Sequence, residues 1–351
     1  MDLIHTHALN MDSHTLHYIV ISLSSFLIAW LLTPVGQWLG VRCGLADQPG
    51  GRRQHHSVVS RTGGLGIVAG FFGAIILSYG ILSTIWPIPT ADPNESLRLK
   101  GVIIGGLWMF SFGLLDDYFE LPAWLQYIGY LLSAIIAIVT LIILERFHNP
   151  FNNHLVILSA WIYIPVTLFW ITGMVVTVNW LDGLDGLAAG VAAILSAVLA
   201  AHMIRMGQYS VAPQALALLG ASLGFLVYNL PPAKVFMGSN GAFFLGYLLA
   251  ALGLIAGARV ATVLLVMGLP IVDVAWTVVA RMRQKAPPDQ GDCRHLHYRL
   301  QDAGFSTRAI VFFYWGFCGL FGLLALFISS RIYKLLALTL LGGLTLIVLF
   351  Y

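Results

Sequence analysis

Leu99-Lys-Gly-Val-Ile-Ile-Gly-Gly-Leu-Trp-Met-Phe-Ser-Phe-Gly-Leu-Leu-Asp116-Asp117-Tyr118 is the stretch that decides the fold. Between Lys100 and Asp116 it carries no charge, and it closes on two adjacent carboxylates. It belongs to a series of apolar runs of about 18 to 25 residues, each able to cross some 30 Å of hydrocarbon. An ionised group held against hydrocarbon costs about 2.5 to 3.5 kcal/mol on insertion scales, so such a pair invites a functional reading. A solvated pair at a helix end is the competing one.

The whole chain reads the same way. Of 351 residues, 59% are hydrophobic and 9% charged, whereas soluble domains carry about a quarter charged residues. Apolar runs fall near 17–40, 63–86, 99–115, 123–144, 155–177, 187–204, 212–229, 242–257, 260–279, 309–328 and 333–350. The expectation is an all-α polytopic membrane protein of 10–11 transmembrane helices, with 1–351 a single integral membrane domain and cytoplasmic loops forming its site. No internal period and no long polar linker divides it. The first run lacks a basic leader and a small-residue cleavage site, so it reads as an anchor.

Lys and Arg set the orientation, because cytoplasmic loops are enriched in them. With the N-terminus outside, eleven of the eighteen basic residues lie inside, from Arg42 and Arg61 to Arg299 and Arg308. The remainder, among them Arg98, Arg146, Arg205 and Lys334, sit at helix ends where their stems snorkel. The net charge of +3 carries no nucleic-acid signal; membrane lipid head groups or phosphates are the partners such loops suit. Cys43, Cys293 and Cys318 are too few and scattered for a disulfide framework. His5, His7, His14 and His17 read as a frayed external tail rather than a metal site.

Five polar segments converge on the inner face. The first runs from Asp47 through Arg52, Arg53, His55 and His56 to Arg61-Thr-Gly-Gly64, offering glycine-lined backbone and cationic donors for phosphate. A positive-inside loop is its plain alternative. The second is Asp116-Asp117. The third, Asn179-Trp-Leu-Asp182-Gly-Leu-Asp185-Gly186, reads as an unwound stretch whose carboxylates aim at one point; hard oxygen donors there suit Mg²⁺. An Asp-Gly turn capping the next helix competes with it. The fourth, Tyr228-Asn229 through Phe236 to Gly238-Ser-Asn-Gly241, reads as a phosphate nest at a helix N-terminus, with Phe236 placed either to stack on a base or to pack at the interface. The fifth places Arg294, His295, His297 and Arg299 in a compact cationic cluster able to hold a diphosphate. Zinc is disfavoured because no further ligand lies at suitable spacing.

Taken together, Gly-Leu-Leu-Asp116-Asp117, Asn179-Trp-Leu-Asp182-Gly-Leu-Asp185-Gly, Asn229 with Val-Phe236-Met-Gly238, Pro270-Ile-Val-Asp273 and His295-Leu-His297 resemble, in order and across most of the chain, the polyprenyl-phosphate N-acetylhexosamine-1-phosphate transferase superfamily. The branch it is most similar to is the one that primes cell-envelope polymers with GlcNAc-1-phosphate. The resemblance implies a multi-pass enzyme of the inner (cell) membrane with a cytoplasmic site. It would move a sugar-1-phosphate from a UDP-N-acetylhexosamine such as UDP-GlcNAc to undecaprenyl phosphate, releasing UMP, with Mg²⁺ (or Mn²⁺) as cofactor and a homodimer as assembly. It implies catalytic roles for Asp116, Asp117, Asp182, His295 and His297. It implies metal contacts from Asn179, Asp182, Asp185 and Ser239. Substrate contacts would come from Arg53, His55, Arg61, Asp185, Asn229, Phe236 and Arg294.

The chain departs from the family pattern at four places. Ser239 stands where the family has a metal-ligand Asp, Val176 where it has Asn, Gln126 where it has Lys, and Tyr298 where it has a third histidine. Two readings stay open on the sequence: an active transferase, or a weakened relative that binds nucleotide sugar or lipid or acts as a scaffold. A transporter fits less well, since its charges would line midplane cavities.

Overall fold

The computed structural model describes residues 2–47, 59–88, 90, 92–152, 154–257, 260–284, 295–328 and 330–350. Each of the eleven apolar runs falls on helix: α1 (Asp2–Arg42), α2 (Gly64–Ile76) continued by a π turn (Leu77–Leu82) and α3 (Ser83–Ile85), α4 (Glu95–Phe119), α5 (Ala123–Val139), α6 (Ala160–Leu181), α7 (Leu187–Arg205), α8 (Ala212–Asn229), α9 (Gly238–Ile255), α10 (Val260–Val266) with α11 (Gly268–Gln284), α13 (Thr307–Phe327) and α14 (Arg331–Phe350). Among the described residues eight helices are long and apolar enough to cross a membrane, and α10 with α11 forms a further candidate span bent by 80°. Ala123–Val139 and Ile332–Thr345 are shorter apolar helices. The protein is an all-α polytopic membrane protein.

α9 is the central helix. Its sequence is apolar around its whole circumference, the mark of a helix with no water-facing side, and Ala242 through Leu252 are fully or almost fully buried. It packs against α2, α4, α6 and α7. The close approaches use small residues, as membrane bundles do. At Gly105 a Cβ would lie 2.1 Å from the Tyr247 ring, and the Tyr247 hydroxyl donates to the Gly101 carbonyl at 2.8 Å. α1 crosses α8 at Gly220 and Gly224, where a Cβ would lie 2.3 and 2.4 Å from the carbonyls of Ser22 and Phe26.

Two strand pairs interrupt the helices. Ala46–Asp47 pairs with Val59–Ser60 on the side of the acidic pair, and Arg146–His148 pairs with Leu155–Ile157 on the opposite side. The second hairpin takes the first residues of the run at 155–177, so that helix starts late, at Ala160. The frayed tail is also corrected: α1 is helical from Asp2. His14 stacks on Tyr209 with centroids 5.4 Å apart, and buried His17 shares a hydrogen bond of 2.8 Å with Ser78.

Candidate active site

Two helix ends meet at one membrane face. α4 finishes with Asp116 and Asp117, both buried, and Glu120 closes it in a left-handed conformation with φ 49°. Carboxylates in a last turn oppose the negative end of the helix dipole, so they need donors from elsewhere. α9 supplies them. The Ser239 N–H donates to Asp117 Oδ1 at 2.9 Å; the Asn240 N–H and Nδ2 donate to Oδ2 at 3.0 and 2.6 Å. Asp117 therefore caps the N-terminus of α9 from another helix.

This corrects the expected phosphate nest at Gly238–Gly241: the N–H groups of Ser239 and Asn240 already hold an anion, and it belongs to the protein. Gly238 makes the crossing possible. It adopts φ +74°, and a Cβ there would lie 1.9 Å from the Arg61 carbonyl oxygen. That carbonyl accepts from Asn240 Nδ2 at 2.9 Å, which joins the first polar segment to the fourth.

Asp116 has different partners. Gln126 Nε2 donates to its Oδ1 at 2.8 Å, and Gln126 in turn accepts from the Tyr130 hydroxyl at 3.3 Å. Ser239 and Arg61 act on Asp116 electrostatically, and Arg61 pairs with Glu120 at 3.7 Å. Ser239 thus serves Asp117 through its backbone.

The Asp-Gly segment is unwound, as expected. α6 ends at Leu181, and a turn covers residues 182–186 before α7 begins at Leu187. Asp185 caps no helix: its Oδ2 accepts from the Ala233 N–H at 2.8 Å. Asn229 completes the stitch, accepting from the Gly186 N–H at 2.9 Å and donating to the Val235 carbonyl at 2.9 Å. The amide expected to face the nucleotide is engaged at both ends by backbone. Asp182 lies near enough to Asp117 and Asp185 to feel both charges; burial first, and then those two carboxylates, push its carboxyl well above the usual range.

The fifth segment closes over this turn. A Cβ on Gly183 would lie 2.6 Å from His297 Nε2 and 2.8 Å from the Tyr298 hydroxyl. His295 and His297 are buried, with parallel rings 5.4 Å apart, at the start of α12 (Leu296–Asp302). Burial, aided by His295, lowers the His297 pKa to about 4, and neither ring nitrogen has a partner among the described residues. The expected cationic histidine pair is corrected at this residue: His297 is neutral near pH 7 and offers one donor and one acceptor.

Asp273, quoted in the sequence motif without a role, proves to orient His295. Its Oδ2 accepts from His295 Nδ1 at 2.9 Å and its Oδ1 from the Leu296 N–H at 2.8 Å. A buried acid inside an apolar helix was the available signal. Trp180, one residue after half-buried Asn179, meets His295 edge-on at 5.3 Å. Phe236 is half-buried, and its backbone bonds to Ser60 and Gly63 at 3.0 Å. Arg53, His55 and Arg294 lie outside the described residues.

The structure thus brings Arg61, Asp116, Asp117, Asp182, Asp185, Asn229, Ser239, His295 and His297 to one membrane face. Among the described residues no three His, Cys, Asp or Glu side chains form a metal-holding group. Asp117 is committed to α9, which leaves half-buried Asp182 and Asp185 on the turn between α6 and α7. Two hard oxygen donors on a turn fit a cation such as Mg²⁺, which usually takes one or two carboxylates and completes its shell with water and phosphate.

Comparison with known proteins identifies the family. Residues 99–257 match the model of glycosyl transferase family 4. A probable undecaprenyl-phosphate N-acetylglucosaminyl 1-phosphate transferase of Bacillus subtilis is 30% identical over 307 residues, covering 86% of this chain and 82% of the relative. A decaprenyl-phosphate N-acetylglucosaminephosphotransferase of Mycobacterium tuberculosis is 29% identical, covering 83% and 78%. An undecaprenyl-phosphate alpha-N-acetylglucosaminyl 1-phosphate transferase of Yersinia pestis is 26% identical, covering 81% and 76%. The chain belongs to glycosyl transferase family 4, within the superfamily of polyprenyl-phosphate N-acetylhexosamine-1-phosphate transferases.

Proposed function

We propose that this protein transfers GlcNAc-1-phosphate from UDP-GlcNAc to undecaprenyl phosphate, releasing UMP, at the cytoplasmic face of the inner membrane, for cell-envelope polysaccharide synthesis. An acceptor phosphate oxygen bonds to the donor's β-phosphorus; the bond from that phosphorus to the bridging oxygen breaks, and its electron pair leaves with UMP. The names of the relatives support the reaction class, and the excess of basic residues on the site face supports the orientation. The observation that carries the reading is the convergence of Asp117, Asp182 and Asp185 at a membrane edge, with neutral His297 seated over the same turn.

The residues suit the chemistry. A phosphomonoester has its second pKa near about 6 and is largely ionised at neutral pH, so no strong general base is needed. Mutual repulsion of two phosphates is the main obstacle. Mg²⁺, or Mn²⁺ in its place, would neutralise that charge when bound, held by Asp182 and Asp185 with Asn179 and Ser239 alongside. Asp116 and Arg61 would border the acceptor phosphate. His297 would hydrogen-bond the sugar, and His295, oriented by Asp273, the diphosphate.

The test is purified protein with undecaprenyl phosphate, sugar-labelled UDP-GlcNAc and Mg²⁺, followed by lipid extraction. Labelled lipid should form with both substrates present, and should vanish with chelator and in Asp182→Asn. Absence of labelled lipid from any UDP-N-acetylhexosamine would overturn the proposal.

A further inference from the structure

On the membrane face opposite Asp116 and Asp117, the structure holds a cavity of about 980 Å³. It lies among the start of α4, the Arg146–His148 hairpin, the end of α7, α10 and the start of α14. Its lining makes three separate chemical demands.

The first is for negative charge. Arg98, Arg146, Arg205 and Lys334 line the cavity against Asp92, Glu95 and Glu145, four cations to three acids; Arg98 is paired with Asp92 and Arg205 donates to the Leu326 carbonyl. The second is for donors. Buried Glu95 accepts from the Ser210 hydroxyl at 2.7 Å through Oε2, while its Oε1 has no partner among the described residues. Gln208 Oε1 is likewise buried without a donor, its Nε2 being given to the Ile255 carbonyl at 3.3 Å. The third is for hydrocarbon, since Leu144, Phe147, Leu254, Leu335 and Leu338 share the same wall.

We propose that this cavity binds an anionic phospholipid whose headgroup carries hydroxyl groups, as a glycerol headgroup does. The phosphate answers the basic side chains. The hydroxyls donate to Glu95 and Gln208, whose buried acceptors are costly to leave unmade. The acyl chains cover the leucine wall. A zwitterionic ethanolamine lipid leaves the basic excess uncompensated, and free phosphate leaves the apolar wall in water.

The experiment is native mass spectrometry of the delipidated full chain, titrated separately with phosphatidylglycerol, phosphatidic acid, phosphatidylethanolamine and inorganic phosphate. Phosphatidylglycerol should be retained about tenfold better than phosphatidylethanolamine, and the double variant Arg205→Gln/Lys334→Gln should lose that preference. Gln208→Met should narrow the preference for phosphatidylglycerol over phosphatidic acid. If the double variant does not remain monodisperse, Arg146→Gln alone should show a smaller loss in the same direction. Equal retention of the three lipids, an unaltered preference in the basic-residue variants, or binding of inorganic phosphate as tight as that of phosphatidylglycerol would overturn the site.

Discussion

Asp117 and Asn240, 123 residues apart in the chain, are joined twice: the backbone N–H and the side-chain amide of Asn240 both donate to one carboxylate oxygen of Asp117, at 3.0 and 2.6 Å. The bond ties the end of α4 to the start of α9 and fixes where the acidic pair sits. Replacing Asp117 by Asn removes the charge and turns an amide N–H₂ toward other donors. Asp117→Asn should lower stability by about 2 to 4 kcal/mol, read as a drop in melting temperature in detergent, with loss of lipid product. Asp116→Asn, whose carboxylate caps no helix, should melt nearer to wild type. Equal melting of wild type and Asp117→Asn would remove the tie.

Gly183 is the contact between the Asp-Gly turn and the histidines. Gly183→Ala places a Cβ 2.6 Å from His297 Nε2 and should cut turnover on the order of 10- to 100-fold through misplacement of reacting groups. Gly173, with open space around it, should accept Ala without loss. Full turnover in Gly183→Ala would show that α12 does not close over the turn.

Asp273 positions His295 through its Nδ1. Asp273→Asn can no longer hold the proton on Nδ1 as a carboxylate does, and turnover should fall about 10- to 100-fold, the range for residues that orient a functional histidine. Asp273→Glu should recover part of it, and the pH profile of Asp273→Asn should change shape. A purely structural role would lower melting temperature and leave the profile unmoved.

His297 contributes a pH dependence of stability with a definite sign. Its folded pKa is lowered to about 4 from 6.5, so between those values the unfolded chain binds the proton and the folded one does not. Stability is intact above pH 6.5 and falls as pH drops towards 4, by up to about 3 kcal/mol. Melting temperature measured across that window should fall for wild type and less steeply for His297→Gln. Identical slopes would show that His297 is not the group responsible.

Much of the architecture could be read from hydropathy because each apolar run has to bury or immerse its face. Angles and long-range partners could not. Gly268 and Pro270 mark a break in the run at 260–279 but do not show that α10 and α11 meet at 80°, and the run at 155–177 hides a hairpin strand at Leu155–Ile157 because both structures favour apolar residues. At the site, carboxylates and histidines could be picked out because charge beside hydrocarbon is costly. Which donors satisfy them could not: nothing local to Gly238–Gly241 reveals that Asp117 occupies the helix start, or that Asn229 is spent on Gly186 and Val235. The neutrality of His297 also comes from burial, which its flanking basic residues concealed.

In the proposed reaction the site moves a sugar together with its phosphate. A donor carrying ³²P in the phosphate attached to the sugar and ³H in the sugar itself tests it directly. Both labels should enter the undecaprenyl lipid in equal proportion, with unlabelled UMP as the other product. Entry of ³H alone, with ³²P left in released UDP, would contradict the account.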